Sequence, residues 1–282
     1  VKRDPSNRRA FMDQLIIQFN PRMHGVYSDY ERVLKQRNTL LKSARATGTK
    51  GDALSTLFSW DQSLVKTGSE IIPADATKIE DLEHLVAQAV SILGGPLDFV
   101  LHSIGMSVNV RKGKHYTEQN YDWTHKGWDV SALSFHKTMQ VLYKQDAMNE
   151  WGSIVALSYM AAQRVFPDYN DMADNKAYLE SIARSFGYFF GRDKKVRVNT
   201  ISQSPTPTTA GQGVKGFDGF IAYADKMSPL GNATALDCAN YTISLFSDLT
   251  KRVTLQNLFN DGGFSNMGVS DAVMDYFVTD ES

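Results

Sequence analysis

A single cysteine, Cys238, excludes an intrachain disulfide and suits a reducing cytoplasm. No apolar run approaches the ~20 residues that span a bilayer, and no signal-peptide pattern opens the chain. The six histidines show no ligand spacing, so no metal is expected. No G-x-x-x-x-G-K-[ST] phosphate loop occurs, which removes the commonest nucleotide-hydrolysing motif. An initiator methionine is also missing; starting at Val1, the chain reads as a fragment or a processed form. Internal repeats and low-complexity tracts are lacking as well.

What is present is ordinary in bulk and uneven in detail. Hydrophobic residues make up 42% and charged residues 22%, the balance of a globular protein with a substantial core. Charge is not evenly spread: residues 1–68 hold 12 Lys+Arg against 6 Asp+Glu, whereas residues 69–282 hold 18 against 25. A basic end joined to an acidic body suggests two origins, with a boundary at 68/69.

The basic end reads as helices. Asp4 and Pro5 suit a helix start, and Phe11, Leu15 and Phe19 recur every four residues. A second helix reaches about Ala46, with Ser28 and Glu31 spaced as a capping box. The stretch from Asp52 to about Lys66 makes a third. From Ser69 the pattern changes to short apolar runs separated by amphipathic helices. SEIIP and LDFVLHSIG (97–105) read as strands that lie side by side, and a helix starts near Ile79 between them. Residues 106–120 read as loop and 122–149 as mostly helical. KVRVNTIS (195–202) is a strand, SPTPTTAGQGVKGFDGF a mobile loop, 233–247 a helix, and RVTLQNLFNDGG a last strand with a turn. Strand and helix alternating on this scale predict an α/β fold, a parallel sheet with helices on both faces.

The stretch GSIVALSYMAAQRVFPDYNDMADNK (152–176) concentrates the chemistry. Ile154 to Leu157 are long enough for a buried strand, and polar groups begin at Ser158 and Tyr159, the expected ligand-binding edge of such a sheet. Residues 169–192 read as a helix. Tyr169 and Lys176 are seven apart, which on a helix brings them to one face about 10.5 Å apart along the axis. A phenol and an ammonium placed so, beside a strand-end tyrosine, can polarise a carbonyl and hold a cofactor hydroxyl. Tyrosines and lysines are also common enough for the triplet to arise by chance.

The wording around the triplet resembles the active-site segment of the NADH-dependent enoyl-acyl-carrier-protein reductases, in the short-chain dehydrogenase superfamily. Their Tyr, nine residues, Tyr, six residues, Lys pattern falls on Tyr159, Tyr169 and Lys176, and EIIPADAT, DFVLHSIGMS, ISQSPTPTTAG and NDGGFS follow in family order. Alcohol-oxidising relatives place tyrosine and lysine four apart, where this chain has Ala173.

The resemblance covers about residues 69–282 and implies an enzyme of fatty-acid synthesis, transferring hydride from NADH to the β carbon of a trans-2-enoyl thioester. The substrate it implies is an acyl carrier protein thioester, the location cytoplasmic, and a homo-oligomer is possible. Tyr159, Tyr169 and Lys176 would be catalytic. The cofactor would be held by Asp75, Ala76, Ser103, Ile104, Gly105, Lys176, Thr206 and Thr208, and the acyl chain by Met106, Ser107 and Tyr159. Read locally, Asp75 could equally cap the helix near Ile79, and Gly105 could be turn punctuation.

A second resemblance covers residues 1–72. RRAFMDQLIIQFNPR and DYERVLKQRNTLLK are similar to the helical lobe of RecF DNA repair proteins, so the chain reads as a splice of two families. RecF proteins are ATPases, but the motifs for that activity are not in this segment. Its basic helix face reads first as a solvated surface rather than a DNA contact. The splice displaces the first two strands of the Rossmann-like sheet and the glycine-rich turn whose amides meet a dinucleotide pyrophosphate. The expected fold is therefore a parallel Rossmann-like sheet without its first two strands, preceded by a helical segment, with cofactor binding impaired. The alternative function is a non-catalytic hybrid whose basic arm binds DNA or a protein partner.

Overall fold

A computed structural model describes residues 71–206 and 216–278. The chain divides into two compact units, Val1–Pro73 and Ala74–Ser282. The helices expected between residues 4 and 66 lie outside the described residues, as does Thr208.

The second unit is built on four parallel strands, β1 (Leu97–His102), β2 (Met148–Ser158), β3 (Arg197–Gln203) and β4 (Asn257–Asn260), hydrogen-bonded in that order. Each is followed or preceded by helix: α1 (Ile79–Leu93), α2 (Val108–Arg111), α3 (Tyr121–Trp128), α4 (Ser134–Lys144), α5 (Asp171–Lys194), α6 (Phe217–Met227), α7 (Ala235–Phe246) and α8 (Asp271–Val278). Alternation along β2 divides the core. Ile154 and Ala156 point to one face, where they meet Leu82 and Val86 of α1, Phe135 and Met139 of α4, and Leu179 and Ile182 of α5. Val155 points to the other face, toward Cys238 and Leu245 of α7. The local signals that set these helices are ordinary ones. Gly94 ends α1 at φ 77, a left-handed conformation that glycine adopts without a Cβ penalty. Thr234 and Asp237 form a reciprocal capping box that starts α7.

Several expectations need correction. Residues 71–73 of SEIIP join no strand, and β1 has β2 as its single strand neighbour among the described residues. No alternating buried face holds that short apolar pair in extended pairing: Ile71 is 43% exposed. Among the described residues β1 is thus an edge, and its Phe99 and Leu101 are 53% and 48% exposed. The stretch 106–120 contains α2 and a 3-10 turn at Tyr116–Glu118. The helical stretch 122–149 is broken by a π turn at Asp129–Leu133 and ends at Lys144. The loop expected after β3 gives way at Phe217 to α6, an amphipathic helix rather than a continuation of the Gly/Thr-rich segment.

Candidate active site

The carboxyl ends of β1, β2 and β3 converge on one cavity of about 410 Å³, within the size range of small-molecule sites. From β1 come Ser103, Ile104, Gly105, Met106 and Ser107; from β2, Leu157, Ser158 and Tyr159; from β3, Gln203, Ser204 and Thr206. Tyr169 and Lys176 complete the wall. The fold therefore gathers nearly all the residues expected from sequence, because parallel strands send all their carboxyl-end loops to one edge. Asp75 and Ala76 are not in this wall. The Asp75 carboxylate accepts from Thr77 N (3.0 Å) and Thr77 Oγ1 (2.7 Å), forming a turn ahead of α1 rather than its cap, which is Lys78.

Lys176 lies in the second turn of α5 and is 7% exposed. Its Nζ donates to the Leu157 carbonyl at 2.7 Å, at the end of β2. A lysine ammonium has three N–H donors, so two remain to face the cavity. Burial pushes its pKa down to about 8, against the opposing pull of the Glu180 carboxylate one turn further along. Glu180 is itself fixed, accepting from Ser158 Oγ at 2.6 Å and Gln163 Nε2 at 3.1 Å. Across from Lys176, Gly105 has no side chain and its neighbours close in on it. A Cβ there would lie 3.2 Å from Met172 Cε and 3.5 Å from Lys176 Nζ. Backbone can thus be approached closely at this point.

Tyr169 corrects a detail of the sequence reading. It closes a 3-10 turn, Pro167–Tyr169, and is separated from α5 by Asn170 at φ 45, ψ −140. The phenol and Lys176 are not seven residues along one helix; a sharp reversal places the ring at the helix entrance. The Tyr169 ring packs 5.0 Å from that of Tyr159, centroid to centroid. Burial raises the pKa of both phenols, so each remains a protonated hydrogen-bond donor at neutral pH. Tyr159 joins an aromatic wall with Phe166 (5.6 Å), and Phe166 meets Phe220 of α6 at 5.3 Å. This wall was not legible in sequence, because Phe166 and Phe220 carry no motif. The one available signal was an aromatic residue at each end of the turn and loop segments that flank the cavity.

His102 ends β1 beneath the cavity. Burial, with the Lys176 charge second, pushes its pKa down to about 3, and the neutral ring contacts Ser134 Oγ through Nε2 at 2.9 Å. Met106 is held at both ends of its backbone by one hydroxyl: its N donates to Ser131 Oγ (2.9 Å), which donates to its carbonyl (2.9 Å). Ser107 lines the cavity but its hydroxyl is already engaged by Asp171 at 2.5 Å. Thr206 donates to the Ser204 carbonyl at 2.9 Å. Among the described residues no group of three His, Cys, Asp or Glu side chains could hold a metal ion, and no helix is long and apolar enough to cross a membrane.

The site suits the nicotinamide half of a dinucleotide: a lysine with two uncommitted donors, the bare backbone of Gly105 and a protonated phenol share one wall. It does not suit the pyrophosphate equally well. No glycine-rich turn leading from a strand into a long helix is found among the described residues; the helix after Gly105 has four residues.

A family model described as enoyl-(acyl carrier protein) reductase matches residues 59–265. Enoyl-[acyl-carrier-protein] reductase [NADH] 2 of Rhizobium meliloti is 32% identical over 197 residues, which are 69% of this chain and 72% of that protein. The crystal structure of a FabI–NADH complex from Alistipes finegoldii superposes with a TM-score of 0.74 at 60% identity, over 76% of this chain and 75% of that one. A different match is the DNA replication and repair protein RecF of Clavibacter sepedonicus, 54% identical over 95 residues, 34% of this chain. The chain spans about a quarter of that relative's length, 23%. The chain is thus similar to the reductases over about two thirds of its length and to RecF over about one third.

Proposed function

The chain belongs to the enoyl-(acyl carrier protein) reductase family, and from that premise we propose that it reduces a trans-2-enoyl thioester carried by acyl carrier protein, in the cytoplasm. The observation that carries this reading is the convergence of Tyr159, Tyr169 and Lys176 on the cavity at the carboxyl edge of the sheet. NADH, when bound, supplies the hydride that reaches the β carbon. The protein's own contribution is positioning and electrostatics. Tyr169 donates its phenolic proton in a hydrogen bond to the thioester carbonyl, a bond that strengthens as negative charge builds on that oxygen. Lys176 offers its two uncommitted N–H groups to ribose hydroxyls and adds positive charge nearby. Ser103, Ile104, Gly105 and Thr206 would flank the nicotinamide half. Tyr159 and Met106 shape the acyl side, where Phe166 and Phe220 exclude water. Asp75, Ala76 and Thr208 would meet the remainder of the cofactor.

The test is NADH oxidation by the full chain with a crotonyl thioester, followed by absorbance at high cofactor concentration. Turnover lost in Tyr169→Phe supports the reading; no turnover at any NADH concentration overturns it. A second reading is supported by the RecF similarity and by the excess of Lys+Arg in residues 1–68. In it the N-terminal arm binds DNA or a protein and the reductase part is a scaffold. DNA affinity steeply dependent on salt, without enoyl reduction, would favour this second reading. A homo-oligomer fits either.

A further inference from the structure

The mechanism leaves the buried carboxylate of Asp171 unused. Asp171, the first residue of α5, is 0% exposed, yet no cation lies within ion-pair distance of it among the described residues. Burying a charge unpaired is unfavourable unless other groups replace its water. Here the replacements are specific. Ser107 Oγ donates to Oδ1 at 2.5 Å, and Asn109 Nδ2 donates to Oδ2 at 2.9 Å. The positive end of the 24-residue helix supports the same charge.

Both donors belong to the segment that continues β1 past Met106 on the acyl side of the cavity, Ser107 as the cap of α2 and Asn109 within it. Ser107 also accepts from Val110 N at 3.0 Å, starting α2, and Asn109 is fixed to Thr124 Oγ1 (3.0 Å) and Asn120 N (3.0 Å). A third tie comes from the neighbouring residue. Asn170 Nδ2 donates to the Lys114 carbonyl at 2.7 Å, while its Oδ1 accepts from Asp171 N at 2.6 Å. Asn170 is the residue held at φ 45 between Tyr169 and α5. Such a backbone conformation persists only where its surroundings over-determine it. Helix α3 packs beside the same group: a Cβ on Gly127 would lie 3.4 Å from Asp171 Oδ2.

We propose that Asp171 is a positioning residue, which clamps the acyl-side loop 106–114 to the entrance of α5 and so sets Tyr169 and the acyl wall as one unit. This deepens the reductase reading and rests on it. The carboxylate touches no reacting atom. Its effect passes through Ser107 and Asn109 on one side and through Asn170 to the Tyr169 backbone on the other. Loss of the clamp frees Asn170 to relax, and the phenol shifts away from where the carbonyl oxygen must sit.

The test compares the full chain with Ser107→Ala, Asp171→Asn and Asp171→Ala by amide hydrogen exchange without ligand, and by steady-state reduction of a crotonyl thioester. Exchange should rise together in 107–114 and 171–174, about 10-fold or more in Asp171→Ala and less in Ser107→Ala, with β3 unchanged. In Asp171→Asn the amide oxygen still accepts from Ser107, so part of the protection returns. The kinetic loss should fall on kcat rather than KM, and Ser107→Ala combined with Asp171→Ala should lose no more than Asp171→Ala alone. A merely structural role would lower the melting temperature and leave kcat per folded molecule unchanged, and that result overturns the proposal. Exchange unchanged in both segments overturns it as well. If Asp171→Ala does not fold, Ser107→Ala decides by the same two readouts. If the parent chain has no turnover, the reductase reading fails, while the paired exchange response still decides whether the clamp exists.

Discussion

Tyr159 and Tyr169 pack ring against ring, 5.0 Å between centroids and tilted by 54°, but their hydroxyls are not equivalent. The Tyr159 oxygen is buried without a hydrogen-bond partner among the described residues. An unsatisfied buried hydroxyl costs about 1–3 kcal/mol. Tyr159→Phe is therefore expected to raise or preserve the melting temperature, with a smaller effect on turnover than Tyr169→Phe, which should lower kcat. Calorimetric scans and steady-state rates of the two variants check this. A clear drop in stability for Tyr159→Phe would mean that its oxygen has a partner.

Lys176 should dominate the pH profile. Its charged form is needed, and burial has brought its pKa down to about 8, so reduction should decline as pH rises through that value. Removing the Glu180 carboxylate, which favours the ammonium, should move the decline to lower pH in Glu180→Gln. Rates from pH 6 to 9.5 test both. A profile flat to pH 9.5, or an upward shift in Glu180→Gln, would contradict the assignment. Lys176→Met should remove nearly all turnover.

Folding is linked to the same group. The folded pKa of Lys176 lies below its ordinary value of 10.5, so between about 8 and 10.5 the unfolded chain binds more protons. The Lys176 contribution to stability should therefore increase as pH rises across that window and be lost as pH falls back through 8. Comparing denaturant midpoints of the parent and Lys176→Met at pH 7 and pH 9.5 isolates this contribution.

NADH should bind weakly. Two charge-assisted hydrogen bonds from a glycine-rich turn, at ~1.5–3 kcal/mol each, correspond to roughly 10²–10⁴-fold in affinity. Titration calorimetry giving low-micromolar affinity would show that other groups replace those amides.

Gly262 should be among the least replaceable positions. It has φ 66, and a Cβ there would fall 2.1 Å from the Gly231 carbonyl oxygen. Backbone cannot yield as a side-chain tip can, so Gly262→Ala is expected to lose about 1–3 kcal/mol or more. Urea denaturation gives the figure directly.

Local pattern carried much of the outcome. The apolar runs of β2 and β3 and the helices α1 and α7 could be read directly, since each depends on residues within a few positions. Tyr159 could be placed in the same way, because a parallel strand delivers whatever follows it to the ligand edge, whereas Ser103–Ser107 were indicated by family resemblance. SEIIP misled for the converse reason: a short apolar run specifies no strand unless a neighbour offers it a ladder.

The sequence by itself determined the alternation that makes the sheet parallel, the similarity of its parts to two families, and the residue types at the cavity. Tertiary structure alone decided how they act together. Asp171 was invisible as a functional residue, because its donors Ser107 and Asn109 lie more than sixty residues away in sequence. The reversal at Asn170, which takes Tyr169 off the helix, depends on the Lys114 carbonyl. The lowered pKa of Lys176 comes from burial, which no spacing encodes. Hydrogen-bond partners and desolvation are properties of distance in space, and only the packed chain sets those distances.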